Sequence, residues 1–89
     1  MEVTFDPAKD AENIKKHGIS LARAEDFDED TAFFEVDDSQ DYGEVRWNGI
    51  GWLDAMLYFL TFTLDGEIIR AISLRPTTAQ ERKRYAENY

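Results

Sequence analysis

Few side chains in this sequence are equipped for chemistry. There is one histidine, His17, no cysteine, and ten lysines and arginines set against nineteen acids. A thiolate site or thiol nucleophile is therefore excluded, and a single imidazole leaves only carboxylates for a metal. The acids lack the spacing of a calcium loop, and no glycine-rich loop opens a helix to cradle a phosphate. No serine sits in a nucleophile elbow. What remains is a scattered basic set: Lys15, Lys16, His17, Arg46, Arg70, Arg75, Arg82, Lys83 and Arg84. Such residues suit phosphate chemistry on RNA, where the 2′-hydroxyl is itself the nucleophile. The protein then needs only to position the backbone, stabilise a doubly charged phosphorane and move protons. Arginine offers a planar fork to phosphate oxygens, lysine a point charge, and histidine exchanges protons near neutral pH. No metal or cofactor is called for.

Each candidate has a structural use as well. His17 precedes Gly18, a favourable helix end. Arg46 and Arg70 can pair with the abundant acids or lay their stems over apolar surface. Arg82 to Arg84 can form a solvated helix face, and Tyr85 can pack.

Charge is unevenly spread. Residues 1–45 carry 14 acids and 4 bases, and residues 46–89 carry 5 acids and 6 bases, which together give the net −9. Between Glu25 and Glu44 there are ten acids and no lysine or arginine. A basic face can still exist locally on such a chain, and the acidic run can serve solubility or dock a basic partner. Eighty-nine residues suffice for one domain, here 1–89. No signal-peptide pattern is visible near the N-terminus, and the longest apolar run, Ala55 to Leu60, is too short to cross a bilayer. A cytoplasmic protein with no membrane partner is expected.

The elements that must hold these residues can be read from the pattern. Val3-Thr4-Phe5 is β-prone. Asp6 caps and Pro7 opens a helix to about Lys16, which Gly18 ends. Ser20 caps a second short helix bearing Leu21, Ala24 and Phe27. Strands follow at Ala32 to Val36, Val45 to Ile50, Ala55 to Leu64 and Glu67 to Leu74. Asp37 to Gly43 reads as a turn, Gly49 and Gly51 mark a bulge or turn, and Asp65-Gly66 makes a tight hairpin. Pro76 stops the last strand, and the capping box Thr78-Ala79-Gln80-Glu81 opens a final helix. The class is α+β: a small antiparallel sheet, its central strand Ala55 to Leu64 covered on both sides, with two N-terminal helices and one C-terminal helix. Strand alternation puts Arg70 and Arg75 on opposite faces unless the chain bulges near Leu74.

Four stretches together resemble the BrnT toxins, a branch of the RelE-like ribonucleases. They are Phe5-Asp6-Pro7-Ala8-Lys9 with Asn13 and Lys16-His17-Gly18-Ile19-Ser20; Phe27 to Asp30; Glu44-Val45-Arg46 with Ile50-Gly51; and Ile69 to Arg75 with Glu81-Arg82 and Tyr85. The resemblance implies a RelE-like fold and a type II toxin whose endoribonuclease activity blocks translation. It implies neutralisation by a BrnA-like antitoxin that alone contacts operator DNA. It nominates His17, Arg70, Arg75 and Tyr85 for catalysis, and Lys16, Arg46, Arg82 and Lys83 for RNA binding. Two positions depart from the family pattern, Pro76 and Thr77, where a basic and then a small residue are usual. Together with the net −9 they leave an alternative open: a catalytically decayed toxin acting as an interaction module through its acidic segment.

Overall fold

A computed structural model describes residues 2–38, 40–41 and 43–88. The elements run β1 (Val3–Thr4), α1 (Pro7–His17), a 3₁₀ turn (Leu21–Asp26), β2 (Phe33–Asp37), β3 (Arg46–Leu53), β4 (Met56–Asp65), β5 (Ile68–Pro76) and α2 (Ala79–Glu87). The expected caps form. Asp6 accepts from the Ala8 N–H, Ser20 accepts from Ala22, and Thr78 and Glu81 close a reciprocal capping box. Gly18, at φ 72°, ends α1 by donating its N–H to Ile14. Ser39 and Tyr42, within the expected Asp37–Gly43 turn, lie outside the described residues.

Five strands form one sheet in the order β1-β5-β4-β3-β2, so β4 is central as its two-sided apolar pattern implied. The sheet is mixed rather than antiparallel. β1 runs parallel to β5, Val3 opposite Ile69 and Thr4 opposite Arg70, because β2 enters the sheet antiparallel to β1 and three further antiparallel steps bring β5 back to the direction of β1. The second helix is a single 3₁₀ stretch, too short for regular α-helical bonding. β3 and β4 meet in a tight hairpin at Asp54, whose positive φ of 57° an aspartate tolerates. The hydrophobic core lies on one sheet face. Leu21, Ala24 and Phe27 of the 3₁₀ region cover Leu53, Leu60, Phe62, Ile69, Ala71 and Leu74.

Gly49 and Gly51 do not mark a bulge or turn. They pair in unbroken register with Leu60 and Tyr58. Their role is close approach: a Cβ on Gly51 would lie 2.7 Å from Phe27 Cζ and 2.9 Å from Ala32 Cβ, and one on Gly49 would lie 2.6 Å from Phe34 Cε1. Gly51→Ala is therefore expected to cost about 1–3 kcal/mol through overpacking, read as a lowered urea midpoint with unchanged slope.

The irregularity falls elsewhere. Along β4 and β5 the register runs Phe59–Arg75, Leu60–Leu74 and Thr61–Ser73, then resumes as Phe62–Ala71 and Thr63–Arg70. Ile72 is thus an extra residue on β5, a β-bulge. Next to it, Asn13 of α1 seals the edge of β5 beyond the reach of β1. Its Nδ2 donates to the carbonyls of Leu74 at 2.8 Å and Ile19 at 2.9 Å, and its Oδ1 accepts from the Leu74 N–H at 3.1 Å. β5 ends at Pro76 as expected, the proline pairing with Tyr58 as the last strand residue.

Candidate ribonucleotide-binding face

The bulge decides where the arginines stand. Side chains alternate along a strand, so one extra residue returns Arg75 to the face that Arg70 already occupies. Both lie opposite odd-numbered β4 residues, Thr63 and Phe59. Continuing the β3–β4 register one step beyond Trp47–Phe62 places Arg46 beside Thr63. The sheet face away from the core therefore carries three successive rows. The first is Asp37, Arg46, Thr63, Arg70 and Thr4; the second Glu35, Asn48, Thr61 and Ser73; the third Phe33, Ile50, Phe59 and Arg75. Arg46 and Arg70 stand two strands apart, about 10 Å, and the first and third rows lie about 13 Å apart along β4. Long arginine side chains at that spacing can reach several phosphates of one strand.

The three arginines differ in state. Arg70 is exposed and, among the described residues, forms no ion pair. It opens on a hollow of about 530 Å³ that Asp6, Glu44 and Asp65 also line. Arg46 is half-buried, its Nε 4.0 Å from Glu44. Arg75 is the most constrained. Its two Nη atoms donate to the two Glu81 oxygens at 2.8 Å each, Nη1 also reaches the Pro76 carbonyl, and Cζ stands 4.4 Å from the centre of the Phe59 ring. Three of its five N–H groups are thereby used among the described residues, and the side-on fork of Nε and the second Nη2 hydrogen remains for a ligand.

Hydrogen bonds from Arg75 hold the Glu81 carboxyl below the ordinary glutamate range, with burial opposing, and Glu81 in turn raises Arg75. Because the folded carboxyl titrates lower than the unfolded one, this stabilisation is fully present above about pH 4.3 and fades as pH falls through the lowered value. Glu81→Gln should remove that part of the acid-side loss. Urea midpoints of the two proteins, compared from neutral pH to pH 3, should converge at the acid end.

His17 and Lys16 approach the same face from the side. Together with Lys9, Glu12, Asn13, Ile72 and Ser73 they line a groove of about 170 Å³. Ser73 stands in the middle row, so this groove adjoins the surface between the levels of Arg70 and Arg75. Lys16 meets Glu12 at 2.8 Å in an exposed helical pair, a contact readily exchanged for a phosphate. His17 is half-buried at the end of α1.

The C-terminal candidates are placed differently. α2 crosses the upper part of this face, held by Glu81 on Arg75 and by an ion pair between Arg84 and Glu35. Tyr85 is 9% exposed, packs edge-on against Trp52 and donates its hydroxyl hydrogen to the Thr31 carbonyl at 2.9 Å. That placement describes an anchor for α2. Arg82 turns back to the Thr77 carbonyl at 2.8 Å and lines a separate cleft with Trp52 and Met56. Lys83 is exposed on α2.

Two residues of the face went unnoticed in the sequence. Asn48 accepts from the Thr61 hydroxyl at 2.9 Å, forming a polar strip between the arginine rows. A polar residue at alternate positions of an otherwise apolar strand was the available signal.

A family model described as the ribonuclease toxin, BrnT, of type II toxin–antitoxin systems matches residues 5–81. The chain belongs to the BrnT family. A comparison with curated proteins found no match. The matched span takes in all of this BrnT face except Thr4 and stops at Glu81, so most of α2 lies beyond it. Among the described residues no helix is long and apolar enough to cross a membrane.

Proposed function

We propose that this BrnT-family chain is a metal-independent endoribonuclease of the cytoplasm that cuts RNA and so arrests translation. A BrnA-like antitoxin would neutralise it and would supply the only contact with operator DNA. The observation that carries this reading is the Ile72 bulge, which aligns Arg46, Arg70 and Arg75 on one sheet face beside the His17 groove. Arg70 and the open fork of Arg75 would hold phosphate oxygens and stabilise the charge that develops on them. His17 would transfer protons, and Lys16 and Arg46 would fix the strand. Tyr85 would act through α2, keeping Glu81 and Arg75 in register, while Arg82 and Lys83 would contact RNA only where it passes over that helix.

The salt dependence of binding to a short single-stranded RNA tests this directly. Three phosphate contacts give a logarithmic slope near −2, at about −0.7 per contact, so fourfold more salt should weaken binding roughly 20-fold. Cleavage should persist in excess chelator.

A second reading draws on a specific feature, the carboxylates of Asp6, Glu44 and Asp65 around Arg70. They favour a decayed toxin that serves as an interaction module. Absence of both RNA binding and cleavage, with tight antitoxin capture retained, would establish it in place of the first.

A further inference from the structure

The core face of the sheet is not covered along its whole length. The 3₁₀ region lies over Leu53, Leu60 and Leu74, and Phe62, Ile69 and Ala71 are buried with them, but toward the β4–β5 hairpin and the β2 edge the cover thins. Val36, Trp47, Phe62 and Ala71 form one row across four strands, and Leu64 and Ile69 pair in the next. Val36 and Leu64 are half exposed, at 50% and 52%. Between these rows and the loop before β2 runs a groove of about 270 Å³, lined by Glu29, Phe34, Trp47, Phe62, Leu64 and Ile69. Contiguous apolar surface of this kind marks an interaction site.

Charge says what fits there. Among the described residues no lysine or arginine lines the groove; Glu29 forms part of its wall, and Asp65 and Glu67 follow Leu64 at the hairpin. The neighbouring stretch from Glu25 to Glu44 holds ten acids and no lysine or arginine. A second copy of this chain, also at net −9, would bring two acidic rims together, and an anionic membrane surface would be repelled likewise. The geometry favours a helix over a strand. The half-exposed Val36 and Leu64 stand two interstrand gaps and one row apart, about 12 Å, close to the roughly 11 Å covered by helix positions i, i+4 and i+7. An added strand would pair with backbone at a sheet edge, whereas this groove presents side chains on a face.

We propose that this groove docks a basic amphipathic helix of the antitoxin, on the face opposite the arginines. That the helix belongs to an antitoxin rests on the toxin reading above; the groove's preference for such a helix does not. Antitoxin held there leaves the arginine face open to contact by the rest of the antitoxin, so capture and inhibition are separable.

Three synthetic peptides of about 18 residues test the proposal, each long enough for five helical turns. One is built of leucine and lysine with an apolar stripe, one has the same composition scrambled, and one replaces lysine with glutamate. The first should shift amide resonances of Phe34, Trp47, Leu64 and Ile69 in the intact protein. The scrambled peptide should bind at least about tenfold more weakly, since burying a leucine-sized anchor is worth that factor. The glutamate peptide should not bind. Leu64→Arg, at an exposed position that folding tolerates, should weaken the first peptide by a similar factor. Equal binding of the scrambled peptide, shifts confined to the arginine face, or an unaffected Leu64→Arg would overturn the assignment. So would a concentration-dependent dimer that Leu64→Arg converts to monomer. RNA cleavage by the wild-type protein, followed in parallel, separates the outcomes. Lost peptide binding with cleavage intact removes the groove, and absent cleavage with peptide binding intact removes only the ribonuclease reading.

Discussion

Arg70→Ala is expected to lower RNA cleavage by about two to three orders of magnitude, the usual effect of deleting a group that meets charge formed in the transition state. Stability should hardly move, by about half a kcal/mol or less, because the side chain is exposed and unpaired among the described residues. Arg75 calls for a different substitution. Its alanine variant would strand Glu81 and loosen α2, which mixes folding with catalysis. Arg75→Lys keeps the charge but loses the fork that grips Glu81 and leaves a second edge for phosphate, so cleavage should still fall sharply. Single-turnover cleavage measured beside urea midpoints distinguishes the two effects. Full activity in Arg70→Ala would mean that the reaction, if present, lies elsewhere on the molecule.

The second large effect is expected at Asn13. Its carboxamide satisfies three main-chain groups, the N–H and carbonyl of Leu74 and the carbonyl of Ile19, and it is only 5% exposed. Asn13→Ala would leave these without partners at a buried edge. At about 1–3 kcal/mol for each unsatisfied group, with some recovered by relaxation or water, the loss should reach about 3 kcal/mol or more. Against a typical total of about 5–15 kcal/mol, that is severe. Asn13→Asp should be no remedy, since it turns the donor toward two carbonyls into an acceptor. The same side chain ties α1 to the bulged strand, and α1 carries Lys16 and His17. Folded Asn13→Ala protein should therefore lose cleavage as well as stability. Hydrogen exchange at the Leu74 amide should quicken more than at Leu60, which lies in the centre of β4; equal change at both would point to global loosening.

Local chemistry carried much of this architecture. Asp6-Pro7 at the start of α1, Gly18 at its end, and Thr78 with Glu81 at the start of α2 act within a few residues, so their effect can be read without knowing the fold. The hairpin at Gly66 is of the same kind, and so is the two-sided apolar character of β4. The lone imidazole and the absence of thiols restrict the chemistry in the same direct way. Residue type also nominates Arg46, Arg70 and Arg75, since a guanidinium has few better uses than an anion.

What residue type leaves open is which way each side chain points. Strict alternation separates Arg70 from Arg75, and only the extra residue at Ile72 brings them to one face. A bulge depends on the strand opposite and on Asn13, fifty-nine positions before Ile72, neither of which local pattern contains. Gly49 and Gly51 resemble a turn in one dimension because the rings that need their space, Phe34 and Phe27, arrive from another element. Tyr85 keeps the same hydroxyl whether it meets RNA or the Thr31 carbonyl, and packing gave it the carbonyl. The parallel pairing of β1 likewise follows from the direction in which β2 enters the sheet and the three antiparallel pairings after it. Composition and short-range spacing determined the kinds of element and the available chemical groups, since those forces act between neighbours. Long-range contacts decided the common face, because register and burial exist only once distant segments meet.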